Sequence, residues 1–304
     1  MKKIIFCLAF CACVFQSTDS NAFGRRNHAA VAYIAEQHLT PAARRAVGQI
    51  YNGLSLAEYG CYPDDHRLSI LVPLDEGEYI TVDGKPVLKG PDGKPFSYGT
   101  NFFTREDGSV WTTVAHGWLA DGDFNVVSVA KGECVWAINK YVGELRSWKT
   151  NSAEENLLAL QMLVHEVGDM HCPSHVHFTD ARDRNDLKFD VIYRGKSVRF
   201  HSIWDTDILV DRYPGGMTDM AIYADPMLNG SLSRRDAEKY MKGIQAGSVE
   251  DWARDVARRC NVTFAVQPGD KLTTEQIDEF SALGRDMVLF AGYRLASLLN
   301  EIFK

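Results

Sequence analysis

Apolar residues recur every three or four positions along most of the chain, and this spacing predicts a mainly α-helical protein. Local signals mark several helix starts. Thr40 followed by Pro41 is typical of a helix N-terminus, and residues 152–155 and 273–276 match the capping box. The pattern predicts helices over residues 27–39, 40–51, 126–148, 152–172, 234–259 and 273–303.

Two segments break the helical pattern and favour extended structure. Residues 189–200 alternate apolar and polar positions around Arg194-Gly195, which predicts a small β-hairpin. Residues 68–111 are rich in Gly, Pro and Asp, which favours a β-rich insertion. Because no linker separates these elements, we expect a single, mainly α-helical domain.

The beginning of the chain carries a targeting pattern. Residues 1–22 combine a basic start, an apolar run and a small-residue end at Ala22, which is typical of a secretory signal peptide. We therefore expect the functional domain to cover residues 23–304 and the protein to be secreted or periplasmic. A lipoprotein signal is the alternative. No later apolar run is long enough to span a membrane.

The overall charge limits what the surface can bind. The formal net charge is −7 at pH 7. An acidic surface does not attract nucleic acid or anionic lipid, so an anionic substrate would need a local source of positive charge. Bound metal ions can provide that charge.

The residues with metal-binding chemistry concentrate in LVHEVGDMHCPSHVHF, residues 163–178. His165 and Asp169 are four positions apart and therefore share one helix face, with Leu158 and Met162 expected on the same core-facing stripe. A buried carboxylate is costly unless it is paired or binds a cation. The alternative is a hydrogen-bonded His–Asp pair that caps the helix.

Further candidate ligands lie elsewhere in the chain. Pro173 should end the helix and bring His175 close to its end. His201 and Asp205 repeat the four-residue His–Asp spacing after the predicted hairpin. Nitrogen and carboxylate ligands without clustered cysteines suit zinc. The remaining candidates are His28, Asp64, His66 and His116.

The other histidines and the cysteines suggest less specific roles. His38 is expected at a surface-facing helix turn, and His171 and His177 are expected to support ligands or face solvent. Four cysteines follow the predicted signal, and an exported protein can oxidise them; Cys61 and Cys172, which lie close to suspected metal ligands, are interpreted as small buried packing residues. The four are Cys61, Cys134, Cys172 and Cys260.

Taken in order, several motifs resemble those of one family. Phe23-Gly24 with His28, then DDHR, LVHEVGDMHCPSH, HSIWDT and AGYRLASLLNEI, are similar to the successive motifs of the S1/P1-type zinc-dependent nucleases. The resemblance covers nearly the whole chain after residue 22. It implies a helical fold of the phospholipase C/P1 nuclease type with three zinc ions in a cleft.

The resemblance also implies ligands for each ion. One zinc would be held by Asp64, His116, His165 and Asp169. A second would be held by His175, His201 and Asp205. A third would be held by the free amine and carbonyl of Phe23, by His28 and by a shared Asp169.

The same resemblance implies roles in catalysis. Asp64 and Asp169 would act at the reacting centre, and Arg67 would lie near the scissile phosphate and bind it. A hydroxide held by paired metals would attack phosphorus in line and leave 5′-phosphate products. The implied activity is endonucleolytic cleavage of single-stranded DNA or RNA, with 3′-nucleotidase activity.

This chain departs from the family pattern at several points. Phe23 stands where tryptophan is usual, and Tyr62-Pro63 precedes Asp64 where the family has W-A. The segment between Asp64 and His116 is longer than usual, so His66 remains the alternative ligand. Gly117 replaces an aromatic residue, and Trp118 is the candidate for stacking on a base, with ordinary packing as its alternative.

Two other functions remain open at this point. One is a zinc phospholipase C, although Asp205 stands where those enzymes have Glu. The other is an exported zinc-binding relative without catalysis. The substrate partner is expected to be single-stranded nucleic acid or nucleotides, and the protein is expected to be a monomer without a stable protein partner.

Overall fold

The computed structural model describes residues 23–58, 60–65, 71–90, 93–96, 102–127, 131–182 and 187–304. Helices dominate this part of the chain, which confirms the predicted mainly α fold. The helices are α1 Arg25–Gln37, α2 Pro41–Ile50, α3 Tyr62–Asp65, α4 Cys134–Leu145, α5 Ala153–Met170, α6 Phe200–Ser202, α7 Ile208–Val210, α8 Met217–Ala224, α9 Arg234–Gln245, α10 Val249–Cys260 and α11 Thr274–Ile302. A π-helical turn, Ile203–Asp207, joins α6 to α7.

Helices α1, α4, α5 and α11 form the centre of the molecule. The last ten residues of α5 are buried, and α11 buries most of its C-terminal half. At the α1–α11 crossing, a Cβ on Gly292 would lie 2.6 Å from Cβ of Ile34, so only glycine permits this close approach. The capping boxes predicted at Ser152 and Thr273 are both formed.

Short strands lie outside the helical centre. Strands β1 Leu71–Leu74, β6 Val110–Thr113 and β5 Phe102–Thr104 form one antiparallel sheet. Strands β2 Tyr79–Val82, β3 Lys85–Lys89 and β4 Pro95–Phe96 form a second. These two sheets confirm the predicted β-rich insertion. The predicted hairpin is also confirmed, as β9 Asp190–Tyr193 paired with β10 Lys196–Arg199.

One further strand pair helps to build the functional site. Strand β7 Trp118–Ala120 pairs in parallel with β8 Val176–Phe178, with Trp118 opposite Val176. Because β7 directly follows Gly117 and β8 directly follows His175, the pairing brings His116 and His175 to the same edge of the core.

The helix predicted over residues 126–148 is shorter than expected. Val126 forms a bridge with Ala120, and the backbone N–H of Val127 donates to the carbonyl of Leu119. These pairings extend the strand region, so α4 begins only at Cys134. The helical spacing of apolar residues upstream of Cys134 was misleading because a β-bridge also buries apolar side chains.

The single helix predicted over residues 234–259 is two helices. Gly247 has φ of +99° and lies between α9 and α10. Ser248 then forms a capping box with Asp251 that starts α10. A left-handed glycine followed by a new N-cap ends one helix and begins another.

The predicted apolar stripe of α5 is partly wrong. Leu158 is 39% exposed, whereas Met162, His165 and Asp169 are fully buried. Leu158 lies in the N-terminal part of α5, where most residues are exposed, and the helix becomes buried on all sides only from Ala159.

The cysteines form no disulfides in the described part of the chain. Cys61, Cys134, Cys172 and Cys260 are all buried and none is in a disulfide there. Disulfides, which export would allow, are therefore not seen, and packing accounts for at least Cys260, which lies in the α10 face turned to the core. No helix among the described residues has the length and apolar character needed to cross a membrane.

Candidate metal centre

The end of α5 carries the central pair of polar residues. His165 Nε2 lies 3.0 Å from Asp169 Oδ2, as the four-residue spacing predicts. The Nδ1–H of His165 donates to the carbonyl of Gly60 at 2.7 Å, which fixes the ring with Nε2 turned towards Asp169. Both side chains are fully buried.

A first donor group forms where α3 and the segment before β7 meet α5. It consists of Asp64, His116 and His165. Asp64 Oδ1 lies 3.8 Å from His116 Nε2 and 3.9 Å from His165 Nε2. His116 Nδ1 also contacts Asp169 Oδ2 at 2.5 Å. The structure therefore brings together all four residues expected around one ion, with His116 beside Asp64.

A second donor group lies beyond the C-terminus of α5. It consists of Cys172, His175 and Asp205. His175 Nε2 lies 3.9 Å from Asp205 Oδ1, and His201 Nε2 lies 3.3 Å from Asp205 Oδ2. The three residues expected for the second ion are thus adjacent, and Cys172 adds a thiol that the sequence did not single out as a ligand.

A third donor group shares residues with the first. It consists of His28, His165 and Asp169. His28 comes from α1, its ring stacks on that of His165 at 4.1 Å, and its Nε2 lies 3.2 Å from Asp169 Oδ1. Asp169 therefore presents Oδ1 to the third group and Oδ2 to the first.

The backbone of Phe23 reaches the same region. Its nitrogen donates to Asp205 Oδ1 at 3.1 Å, although the two residues are 182 positions apart. Gly24 follows with φ of +49°, and a side chain there would collide with the carbonyl of Asp205. The ring of Phe23 is fully buried and lies edge-on to His28 at 5.7 Å. Phe23 thus joins the segment that carries Asp205 to the start of α1.

The charges in this cluster are strongly coupled. Burial disfavours the charged form of Asp169, but the imidazoles of His165 and His116 outweigh it and hold the pKa of Asp169 well below its usual range. Burial also opposes protonation of His165, yet Asp169 and Asp64 raise the pKa of His165 to about 10. Burial raises the pKa of Asp205 to about 6. His165 and Asp169 therefore stabilise each other's charged forms, whereas burial prevails at Asp205.

The donor atoms are poorly satisfied by the protein alone. Within the described residues, neither carboxylate oxygen of Asp64 accepts a hydrogen bond, and the same holds for Asp169 Oδ1 and Asp205 Oδ2. His165 Nε2 also lacks a hydrogen-bond partner there. Buried unpaired carboxylates are costly, so several of them converging with imidazole nitrogens fit bound divalent cations. Oxygen and nitrogen donors of this kind suit zinc.

Two predicted site residues lie outside the described part of the chain. Arg67, expected near the phosphate, and His66, the alternative ligand beside Asp64, both fall in residues 66–70. The predicted signal peptide, residues 1–22, also lies outside it.

The proposed stacking role of Trp118 is wrong. Its ring is fully buried, and its indole N–H donates to the carbonyl of Met170. A ring that packs between β7 and the end of α5 has no face to offer to a base. Its packing holds β7 against the helix that carries Asp169.

Two of the remaining histidines lie where the sequence did not predict them. His38 is mostly buried, and its Nε2 pairs with Asp225 Oδ2 at 2.6 Å. His171 is fully buried, donates from Nδ1 to the carbonyl of Val167 and accepts from Arg294 at Nε2. It therefore ties the end of α5 to α11. The third, His177, is buried in β8, so it does not face solvent.

Gly168 provides the space that the His28 ring occupies, a role that the sequence analysis did not predict. A Cβ there would lie 2.5 Å from His28 Nδ1 and 2.8 Å from its Cε1. Only glycine therefore lets the His28 ring lie against α5. The signal in the sequence was a glycine within an otherwise strong helical pattern, which often marks a close approach.

We expect Gly168→Ala to displace His28 and to disrupt metal binding at the third group. Overpacking should also destabilise the fold by about 1–3 kcal/mol. Native mass spectrometry would count the ions, and thermal unfolding would report stability. Gly143→Ala is the matched control, because Gly143 is an exposed residue of α4 with nothing within 4 Å of an added Cβ. An unchanged ion count in Gly168→Ala would contradict this role.

The fold and the site define a mainly α-helical protein with three adjoining groups of metal-type donors at the end of a central helix. The chain belongs to the S1/P1 nuclease family, whose model matches residues 23–304.

Individual relatives match at modest identity. The chain is 24% identical to Nuclease S1 of Aspergillus oryzae over 298 residues, which cover 92% of this chain and 91% of the relative. It is 26% identical to Nuclease P1 of Penicillium citrinum over 298 residues, with 92% and 97% covered. Endonuclease 2 of Arabidopsis thaliana is 28% identical over 199 residues, with 57% and 63% covered.

Proposed function

We propose that this protein is a zinc-dependent nuclease that hydrolyses phosphodiester bonds within single-stranded DNA or RNA. We include 3′-nucleotidase activity and 5′-phosphate products in the proposal. The observation that carries it is the convergence of three donor groups with unpaired buried carboxylate oxygens, in a chain of the S1/P1 nuclease family. The relatives named as nucleases support the reaction class.

The proposed ligand sets are those that the family resemblance implies, and each overlaps one of the three donor groups. Asp64, His116, His165 and Asp169 would hold one ion, and His175, His201 and Asp205 a second. His28 and Asp169 would hold a third, together with the amine and carbonyl of Phe23. When bound, zinc would supply Lewis-acid stabilisation of phosphate charge and would lower the pKa of water toward neutrality.

The protein's own groups prepare this site. His165 donates its Nδ1–H to Gly60, and His175 directs Nδ1 to the carbonyl of Asp169 at 3.2 Å, so each ring keeps Nε2 for a ligand. Asp169 places one oxygen in each of two groups and so fixes their relative position. We further propose that Arg67 binds the scissile phosphate, because a guanidinium can pair with two phosphate oxygens at once.

The acidic surface gives the donor groups a second role. With a net charge of −7, the protein has no general attraction for a polyanion. Bound divalent cations would create a local positive region that recruits phosphate to the site. We also propose that residues 1–22 direct export and are removed, which leaves a secreted or periplasmic protein that begins at Phe23.

A parallel assay tests the substrate class. Processed protein is incubated with closed circular single-stranded DNA, the matching duplex, a 3′-nucleotide and phosphatidylcholine vesicles, each with and without a chelator. We expect cleavage of the single-stranded circle and release of phosphate from the 3′-nucleotide, both abolished by the chelator. Cleavage of lipid alone would identify a phospholipase C instead. A fully metal-loaded protein that turns over none of these substrates would contradict catalysis.

A further inference from the structure

Cys172 occupies a special position at the second donor group. It follows α5 and precedes the 3₁₀ turn Pro173–His175, and its side chain is fully buried. Its Sγ lies 3.6 Å from Asp205 Oδ1 and 3.1 Å from Ser174 Oγ. The ligand atoms of Cys172, His175 and Asp205 all lie within 4.8 Å of one another.

We propose that the Cys172 thiolate is a ligand of the metal ion at the second group, alongside His175, His201 and Asp205. The proposal rests on the proposed zinc dependence. On coordination the sulfur forms a bond to the metal, and the thiol proton is released to solvent.

The distances around Asp205 agree with a shared ion. Around a tetrahedral zinc with Zn–S of ~2.3 Å and Zn–O of ~2.0 Å, sulfur and oxygen lie about 3.5 Å apart. The observed distance between Cys172 Sγ and Asp205 Oδ1 is 3.6 Å. Nitrogen and oxygen ligands of such an ion lie about 3.3 Å apart. The distance between His201 Nε2 and Asp205 Oδ2 is 3.3 Å. His175 Nε2 lies 3.9 Å from Asp205 Oδ1, so the two side chains would move slightly closer together when they bind the ion.

A second observation points independently to a ligand. Asp205 is 1% exposed, and its Oδ2 accepts no hydrogen bond within the described residues. A buried oxygen in that state calls for a cation or a donor. The unpaired atom lies in the same side chain that contacts Cys172, His175 and His201.

The competing role for Cys172 is that of a hydrogen-bond donor to Asp205. That role leaves the buried Oδ2 without a partner, because the thiol points to Oδ1, which also accepts from the Phe23 nitrogen at 3.1 Å and from Ser174 Oγ at 3.3 Å. A thiol is a weak third donor beside these two. As a thiolate, the same sulfur is a strong zinc ligand.

Thiolate ligation would give the second ion a structural role, distinct from that of the other ions. Four protein ligands close a tetrahedral zinc, and closed sites are structural, whereas catalytic sites keep a position free. The thiolate and the Asp205 carboxylate together neutralise the charge of a divalent ion. The second ion would then be held firmly, and the position open to water would belong to the pair of groups that share Asp169.

Cobalt substitution tests the proposal without relying on activity. The processed protein is loaded with cobalt(II) and its absorption spectrum recorded, since a thiolate ligand gives an intense near-ultraviolet charge-transfer band that nitrogen and oxygen ligands do not. We expect the band in the unmodified protein and in Cys260→Ala, a control that removes another buried thiol. We expect its loss in Cys172→Ser and in Cys172→Ala.

The serine variant separates the two roles of Cys172. Serine keeps a hydrogen-bond donor but removes the soft ligand, so hydrogen bonding alone would leave the second ion bound as tightly as before. We expect the rate at which one ion is released to a chelator to be about 10-fold higher in Cys172→Ser than in the unmodified protein. Cobalt-loaded unmodified protein with no thiolate band, or a band that persists in Cys172→Ser, would overturn the proposal.

The same experiment distinguishes this proposal from the proposed function. If single-stranded DNA is cleaved in a metal-dependent way and no thiolate band forms, only the role of Cys172 is wrong. If the processed protein binds no cobalt or zinc at all, both proposals are wrong. The unmodified protein alone decides the main question, so a poorly folding variant does not prevent an answer.

Discussion

Asp169→Asn is expected to lower nuclease activity by about 10³-fold or more. The carboxylate gives Oδ1 to the group with His28 and Oδ2 to the group with His165 and His116. An amide has one oxygen and an NH₂ that cannot bind a metal, so it can serve only one of the two groups. Native mass spectrometry should show the loss of at least one ion, together with disturbance of the neighbouring one.

Two comparisons make the Asp169 result specific. Asp205→Asn should disturb only the second group, so its ion count should fall by no more than one. Asp278→Asn is the matched control, because it makes the same chemical change at an exposed position of α11. Full ion occupancy and near-normal cleavage in Asp169→Asn would show that the shared carboxylate does not organise the site. Circular dichroism should establish that each variant is folded.

A one-residue extension before Phe23 should lower activity by about 10²-fold or more. In the proposed mature protein the Phe23 nitrogen is a free amine with a lone pair and an ordinary pKa near 8, which a metal can deprotonate. An added residue turns that amine into a peptide nitrogen, whose lone pair is delocalised into the carbonyl and cannot bind a metal. The extended protein should also bind one ion fewer.

The chain offers a clean control for this change. Lys304 is exposed at the other end of the chain, so a single residue added after it should alter neither ion count nor rate. Both proteins can be released from the same cleavable fusion, and intact mass fixes the first residue of each. Equal activity and equal metal content in the two extended forms would exclude a role for the Phe23 amine.

The elements predicted well are those whose causes are local. The capping boxes at Ser152 and Thr273 start helices because neighbouring side chains bond the first free backbone N–H groups. The turn at Arg194-Gly195 sets the hairpin through the left-handed conformation of both residues. The pairing of His165 with Asp169 follows from the helical repeat alone.

The elements predicted poorly are those in which a β-bridge, a left-handed glycine or strand pairing overrides the helical or exposed pattern. The α4 start moved because Val126 pairs with Ala120, and the long polar helix divides where Gly247 adopts a left-handed conformation. Trp118 was expected to stack on a base, but the pairing of β7 with β8 buries it. For Val126 and Trp118 the apolar or aromatic character was interpreted correctly, but the backbone pairing that determines where the side chain packs was not predicted.

The sequence by itself determined the kinds of donor atoms and their spacing along α5 and in HSIWDT, because residues four apart on a helix are neighbours whatever surrounds them. Only the tertiary structure decided which distant donors join them. Gly168 leaves room for His28 beside His165, and the β7–β8 pairing positions His116. The Phe23 nitrogen donates a hydrogen bond to Asp205, 182 positions further along the chain. These long-range contacts depend on how helices and strands pack, and the spacing of residues along the chain does not specify them.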